Sequence, residues 1–180
     1  CWTYDGKSGI LTLDNFTWVT LAPQALVIVP DADDELAIYL AQGSENSIIS
    51  LFYGSDLYSG GLQVEGSLII DGTGTLTVQS GTSKHDYVEG IYVCEDLQIN
   101  GGTINATAGN ALIDCSYATG IYVEGSITVS SGTVTATAGG AVGEDSKSCG
   151  INANMFAVTG GTVTATGDTQ AVVSDATVTI

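Results

Sequence analysis

The chain has 180 residues and a mass of 18.3 kDa, enough for one domain or one run of repeats but not for a catalytic domain beside a separate binding domain. Three basic residues (Lys7, Lys84 and Lys147, with no arginine) stand against 20 acidic ones, and the formal net charge is −17. Nucleic acid and anionic lipid surfaces require clustered cations, so neither is an expected partner, and no run approaches the ~18 apolar residues of a membrane span.

With 24 Gly, only two Pro and abundant Thr and Ser, the composition is β-rich, and no stretch shows the 3.6-residue apolar period of a helix. The opening residues, CWTYDGKSGI, lack the basic and apolar regions of a secretion signal, so the chain reads as a mature or excised segment. Residues 1–60 predict irregular first coils, with strands at Gly9–Trp18 (GILTLDNFTW), Ala25–Pro30 and Leu36–Leu40. Asp31, Asp33, Asp34 and Glu35 form the densest run of hard oxygen ligands. Their spacing does not match an EF-hand loop, leaving an acidic turn or a weak calcium site, and calcium is the one candidate cofactor.

From residue 61 the sequence repeats. GIYVCEDLQINGGTINATAG begins at Gly90, GIYVEGSITVSSGTVTATAG at Gly120 and GINANMFAVTGGTVTATG at Gly150, with a weaker copy from Gly61. Each unit holds three short alternating segments separated by Gly and Ser corners, and such a unit cannot bury its inward side chains alone. The expectation is an all-β parallel β-helix, a β-solenoid of about six coils with three short strands per ~30-residue coil, forming a single domain over 1–180 with regular repeats over 61–180. Expected inward residues include Leu62, Val64, Leu68 and Ile70, then Ile91, Val93, Leu97 and Ile99, then Ile121, Val123, Ile127 and Val129, then Phe156, Val158 and Val163.

Outward positions supply the candidate binding residues. Stacking in register aligns Thr75, Thr103, Thr133 and Thr162 in one column and Thr77, Asn105, Thr135 and Thr164 in the next. Such an array suits a polysaccharide face or ice, or is simply a well-paired strand surface. Tyr92 and Tyr122 are neighbours on an outward column between Gln63 and Asn152, where phenol rings can lie against sugar rings or fill a groove under a loop. Tyr92, Tyr122, Thr133 and Thr135 are therefore the candidate glycan-binding residues.

An enzyme is not expected. Abstracting a proton beside a uronate needs a strong base, typically Arg or Lys beside calcium carboxylates, and this chain has no Arg and only three scattered Lys. The acid pairs Asp86/Glu89 and Glu144/Asp145 read as solvated loop residues rather than as a hydrolytic dyad. Cys1, Cys94, Cys115 and Cys149 form no CxxC pair, and the single His85 is remote from all of them, which favours disulfides over zinc. Cys115 and Cys149 close loops of adjacent coils and are expected to pair, leaving Cys94 for Cys1 within the subunit or across an interface. A solenoid also has two open ends. The strand pattern runs to Ile180, so Cys1, Trp2, Val178 and Ile180 are the candidate residues for head-to-tail stacking of copies into a filament.

The succession LTLDNFTW, ALVIVPDADDELAIYL and repeated GIYVEGSITVSSGTVTATAGG resembles the carbohydrate-binding-domain β-helix proteins secreted by anaerobic bacteria, over nearly the whole chain. That resemblance implies a right-handed parallel β-helix displayed outside the cell, binding acidic or cellulosic plant polysaccharide with calcium on surface carboxylates. Three functions follow in order of preference. The first is a non-catalytic extracellular or cell-surface solenoid that assembles end to end, the second a polysaccharide-binding module with calcium, and the third an ice-binding protein.

Overall fold

The computed structural model describes residues 1–30, 35–54 and 56–179, with side chains described up to residue 174. The described residues contain no helix. The strands are β1 (Trp2–Asp5), β2 (Ile10–Leu13), β3 (Thr17–Thr20), β4 (Gln24–Ile28), β5 (Leu36–Leu40), β6 (Glu45–Ser50), β7 (Ser59–Val64), β8 (Leu68–Gly72) and β9 (Thr75–Gln79). They continue as β10 (Tyr87–Val93), β11 (Leu97–Ile99), β12 (Thr103–Thr107), β13 (Tyr117–Val129), β14 (Thr133–Thr137), β15 (Lys147–Val158), β16 (Thr162–Thr166) and β17 (Gln170–Thr179).

Every strand pair except β1–β2 is parallel and joins one coil to the next, which makes the chain a parallel β-helix with three faces. The first face stacks β4, β7, β10 and the N-terminal halves of β13, β15 and β17. The second stacks β2, β5, β8, β11 and the C-terminal halves of the same three strands. The third is the 6-stranded sheet β3-β6-β9-β12-β14-β16. Rung spacing is 30 residues in the regular part, as between Ser146 and Ser116. It widens to 36 between Ser59 and Pro23 and shrinks to 21 between Thr169 and Ser148.

The period-2 alternation places its apolar set inside as expected. Leu62, Val64, Leu68, Ile70, Ile91, Val93, Leu97, Ile99, Ile121, Val123, Ile127, Val129 and Phe156 are all buried in one continuous core, while Val158 and Val163 in the last coil are partly buried. A second, smaller cluster of Val88, Ala108, Ala111, Ala118 and Ala138 fills the corner between the third and first faces. Gly72, Gly102, Gly132 and Gly161 make the corner between the second and third faces with positive φ. A Cβ on Gly132 would lie 2.5 Å from the Gly102 carbonyl oxygen of the coil below, so only glycine permits this stacking.

Within the chain neither expected disulfide is formed, and all four cysteines are free. Register explains why Cys115 and Cys149 do not meet: Cys149 stacks beside Thr119, four positions further along the chain than Cys115. The Cys149 thiol is buried and donates to the Ile151 carbonyl at 2.9 Å. Cys115 sits exposed at a positive φ in the preceding turn. Cys94 bonds through its backbone to Val64 on the first face, whereas Cys1 lies beside Asp14 at the first rung of the second. No described helix is long and apolar enough to cross a membrane.

Candidate functional site

The first face carries the chemistry. Its two central rungs have nearly the same sequence, YVEGIYV on β10 and YATGIYV on β13, flanked by SGGLQV on β7 and KSCGINA at the start of β15. Gly61, Gly90, Gly120 and Gly150 stack in a column where a side chain has no room: a Cβ on Gly120 would lie 2.6 Å from the Gly150 carbonyl oxygen and 2.7 Å from the Thr137 nitrogen. Each strand bends at that glycine. Residues before it, such as Val88 and Ala118, pack in the small corner cluster, and those after it, such as Ile91 and Ile121, enter the main core. The bend interrupts the alternation, so Tyr87, Glu89 and Tyr92 of one strand all line the same outer cleft.

Two tyrosine stacks run along this cleft. Tyr87 and Tyr117 stack with ring centroids 5.4 Å apart and planes 13° apart, and Tyr92 and Tyr122 stack at 5.8 Å and 20°. Both pairs follow from the 30-residue register, which sets each ring beside its counterpart one rung on. The lower cavity, about 510 Å³, is bounded by Tyr58, Tyr87, Tyr92, Tyr122, Glu89 and Glu124, with Gln24 and Gln63 at its base. A second cavity of about 380 Å³ adjoins it through Tyr122 and Glu124 and extends to Lys147, Asn152 and Gln170. These volumes suit a small-molecule or sugar site.

Glu89 is the most unusual group here. It is only 4% exposed, and the Tyr58 hydroxyl donates to its Oε2 at 2.7 Å. Burial pushes its carboxyl up to about 7, against the Tyr58 hydrogen bond, and the charge of Glu124 adds to the rise. Tyr58 belongs to the segment before β7 and reaches over Gly60, where a Cβ would meet its ring at 2.9 Å. Burial first, and then the Glu89 charge, hold its phenol well above the ordinary tyrosine range. On the opposite wall the Tyr92 hydroxyl donates to Glu124 Oε1 at 2.7 Å. Desolvation and this bond raise the Tyr92 phenol as well. Gln63 donates to Glu65, and Gln24 to Gln63.

Residues 3–180 match the family described as carbohydrate-binding domain-containing protein. The chain belongs to that family. No curated protein and no solved structure matches it. The family match and the solenoid agree with the resemblance seen in the sequence.

Within this carbohydrate-binding family member, the sequence-predicted residues do not form one site. Tyr92 and Tyr122 lie in the cleft, but Thr133 and Thr135 are on β14, in the sheet of the third face. There the threonine columns do align, Thr75–Thr103–Thr133–Thr162 and Thr77–Asn105–Thr135–Thr164. Of the acidic run, Asp31, Asp33 and Asp34 lie outside the described residues, and Glu35 is exposed just before β5. Among the described residues no group of three or more His, Cys, Asp and Glu is placed to hold a metal ion. Trp2 is exposed on β1 and lines an apolar cavity of about 560 Å³ with Phe16, Trp18 and Leu26 at the open N-terminal end. The Val178 backbone pairs with Phe156, its side chain lies outside the described set, and so does Ile180.

Sequence reading missed Tyr58, Tyr87, Tyr117 and Glu89. The repeat was cut at Gly90, just after the Tyr-x-Glu and Tyr-x-Thr steps that precede Gly90 and Gly120, although Tyr87 and Tyr117 have the same 30-residue spacing as Tyr92 and Tyr122. Glu89 is not the solvated loop acid expected. It is a strand residue on the cleft floor.

Proposed function

We propose that the chain is a non-catalytic extracellular or cell-surface module that holds polysaccharide in the cleft of the first face. The observation that carries this reading is the pair of tyrosine stacks flanking Glu89 and Glu124: apolar ring surface for sugar C–H groups, with carboxylates and phenols to hydrogen-bond hydroxyls. The test is retention on insoluble glycans by pull-down. Wild type is retained, and Tyr122→Ala with Tyr117→Ala loses most of that retention; an unchanged double variant sinks the cleft as the site. Calcium at Asp31, Asp33, Asp34 and Glu35 belongs to this reading as a proposal, checked by whether chelator lowers retention.

End-to-end assembly is the second reading. The apolar cavity lined by Trp2, Phe16 and Trp18 and the unpaired outer edges of β3 and β4 favour it. On the second face, however, β1 lies antiparallel on β2 and takes the edge that a stacked copy would need. Stacking therefore requires β1 to move or leaves one face unpaired. Negative-stain images decide between them, since compact particles at high protein concentration exclude the filament.

A further inference from the structure

The charge of the cleft lining narrows which sugars fit it, on the premise that the cleft binds carbohydrate as proposed above. Glu89 forms the floor and Glu124 the wall, and Glu65, just after β7, accepts from Gln63 of that lining. Their hydrogen-bond donors are neutral: Tyr58 to Glu89, Tyr92 to Glu124 and Gln63 to Glu65. Among the described residues none of the three has an ion-pair partner. Lys147, beside Tyr117 in register, lines only the upper cavity. A carboxylate as buried as Glu89 ordinarily has a cation or remains protonated. Phenol rings around carboxylates form a cage suited to an ammonium group, and a chain of net charge −17 attracts cations.

We propose that the lower cleft selects glycans bearing protonated amino sugars, their ammonium groups held by Glu89 and Glu124 and their pyranose rings lying against the tyrosines. Around Glu89 stand Tyr58 from the segment before β7, which donates to it, Tyr87 and Tyr92 on its own strand, Glu124 from β13 and Thr119 beside it in register, while the charge of Glu65, just after β7, acts on Tyr58 and the His85 ring meets Tyr58 edge-on at 6.1 Å. An arriving ammonium favours ionised Glu89, so binding near pH 7 releases a proton. Affinity then falls on both sides of neutrality, as Glu89 protonates below and the sugar amine loses its proton above.

Titration calorimetry of the whole chain with glucosamine oligosaccharides, their N-acetylated counterparts and glucose oligosaccharides of equal length tests this, in two buffers of different ionisation enthalpy at pH 6.5. The expected result is binding of the glucosamine series about tenfold tighter than either other series, with proton release and a marked loss in high salt. Glu89→Gln and the more exposed Glu124→Gln should each erase most of that preference, and either variant suffices should the other fail to fold. Equal or tighter binding of the acetylated or neutral series, or a preference that survives both substitutions, overturns amino-sugar selectivity while leaving the cleft a glycan site. Failure of all three series to bind overturns both.

Discussion

The first and third faces of this solenoid are built from the same repeat and have opposite surfaces. On the third face, strands such as TVTAT of β14 and β16 alternate strictly, and their outward side chains are small, polar and uncharged in the regular coils. On the first face each strand bends at a stacked glycine, and tyrosines with two carboxylates gather in a cleft. Regular alternation yields a flat wall. The interruption of that alternation, together with side chains too large for a flat wall, yields a site. The same contrast appears along the chain: the coils from residue 61 up to β15 repeat at nearly even spacing, while the widened coil before them delivers Tyr58 over Gly60.

The largest expected effect breaks the bend. Gly120→Val places a Cβ against the backbone of Gly150 and Thr137, which cannot withdraw without unstacking a rung. We expect a loss of about 3 kcal/mol or more, read by denaturant unfolding; a loss below about 1 kcal/mol would show that the glycine column is not what shapes the first face. Next comes the pH dependence of Glu89. Because its carboxyl is raised from 4.5 to about 7 in the folded chain, the folded state binds more protons than the unfolded one in that window. Stability is therefore fullest below pH 4.5 and falls as pH rises to about 7, by up to about 3 kcal/mol. Measured against Glu89→Gln, wild type should lose that amount across the window. A constant difference between the two proteins would mean that Glu89 does not titrate there.

Tyr58→Phe should act more weakly and in the opposite direction with pH. It removes the donor to Glu89, a bond stronger to an ionised than to a neutral acceptor. The expected cost is about 1–2 kcal/mol above pH 7 and less below pH 5, by thermal unfolding at both values. Equal cost at both would uncouple Tyr58 from the charge on Glu89.

The scaffold was legible because burial on one side of a short strand imposes period 2, and stacking imposes an equal repeat. Leu62 through Val129 therefore declared their inward positions without any tertiary information. The cleft was only half legible. Tyr92 and Tyr122 showed themselves as a ladder, but the burial of Glu89 depends on Tyr58, which comes from 31 residues earlier in an irregular segment. No local pattern links the two. The cysteine pairing failed for a related reason: both residues sit near loops of adjacent coils, yet the register offsets Cys149 from Cys115 and sets Thr119 beside it.

The smallest expected effect lies on the third face. Thr135 stands between Asn105 and Thr164 in its column, half-buried by its neighbours and without a charged group beside it in register. Thr135→Ala removes a methyl and a hydroxyl from a surface that nothing folds over, so stability should change by no more than about 0.5 kcal/mol. Retention on glycan should be unchanged, because β14 belongs to a different sheet from the tyrosine stacks. Side-by-side pull-downs of Thr135→Ala and Tyr122→Ala make this decisive. If the threonine variant loses as much retention as the tyrosine variant, the flat wall takes part in recognition, and a polymer must lie across more than one face of the coil.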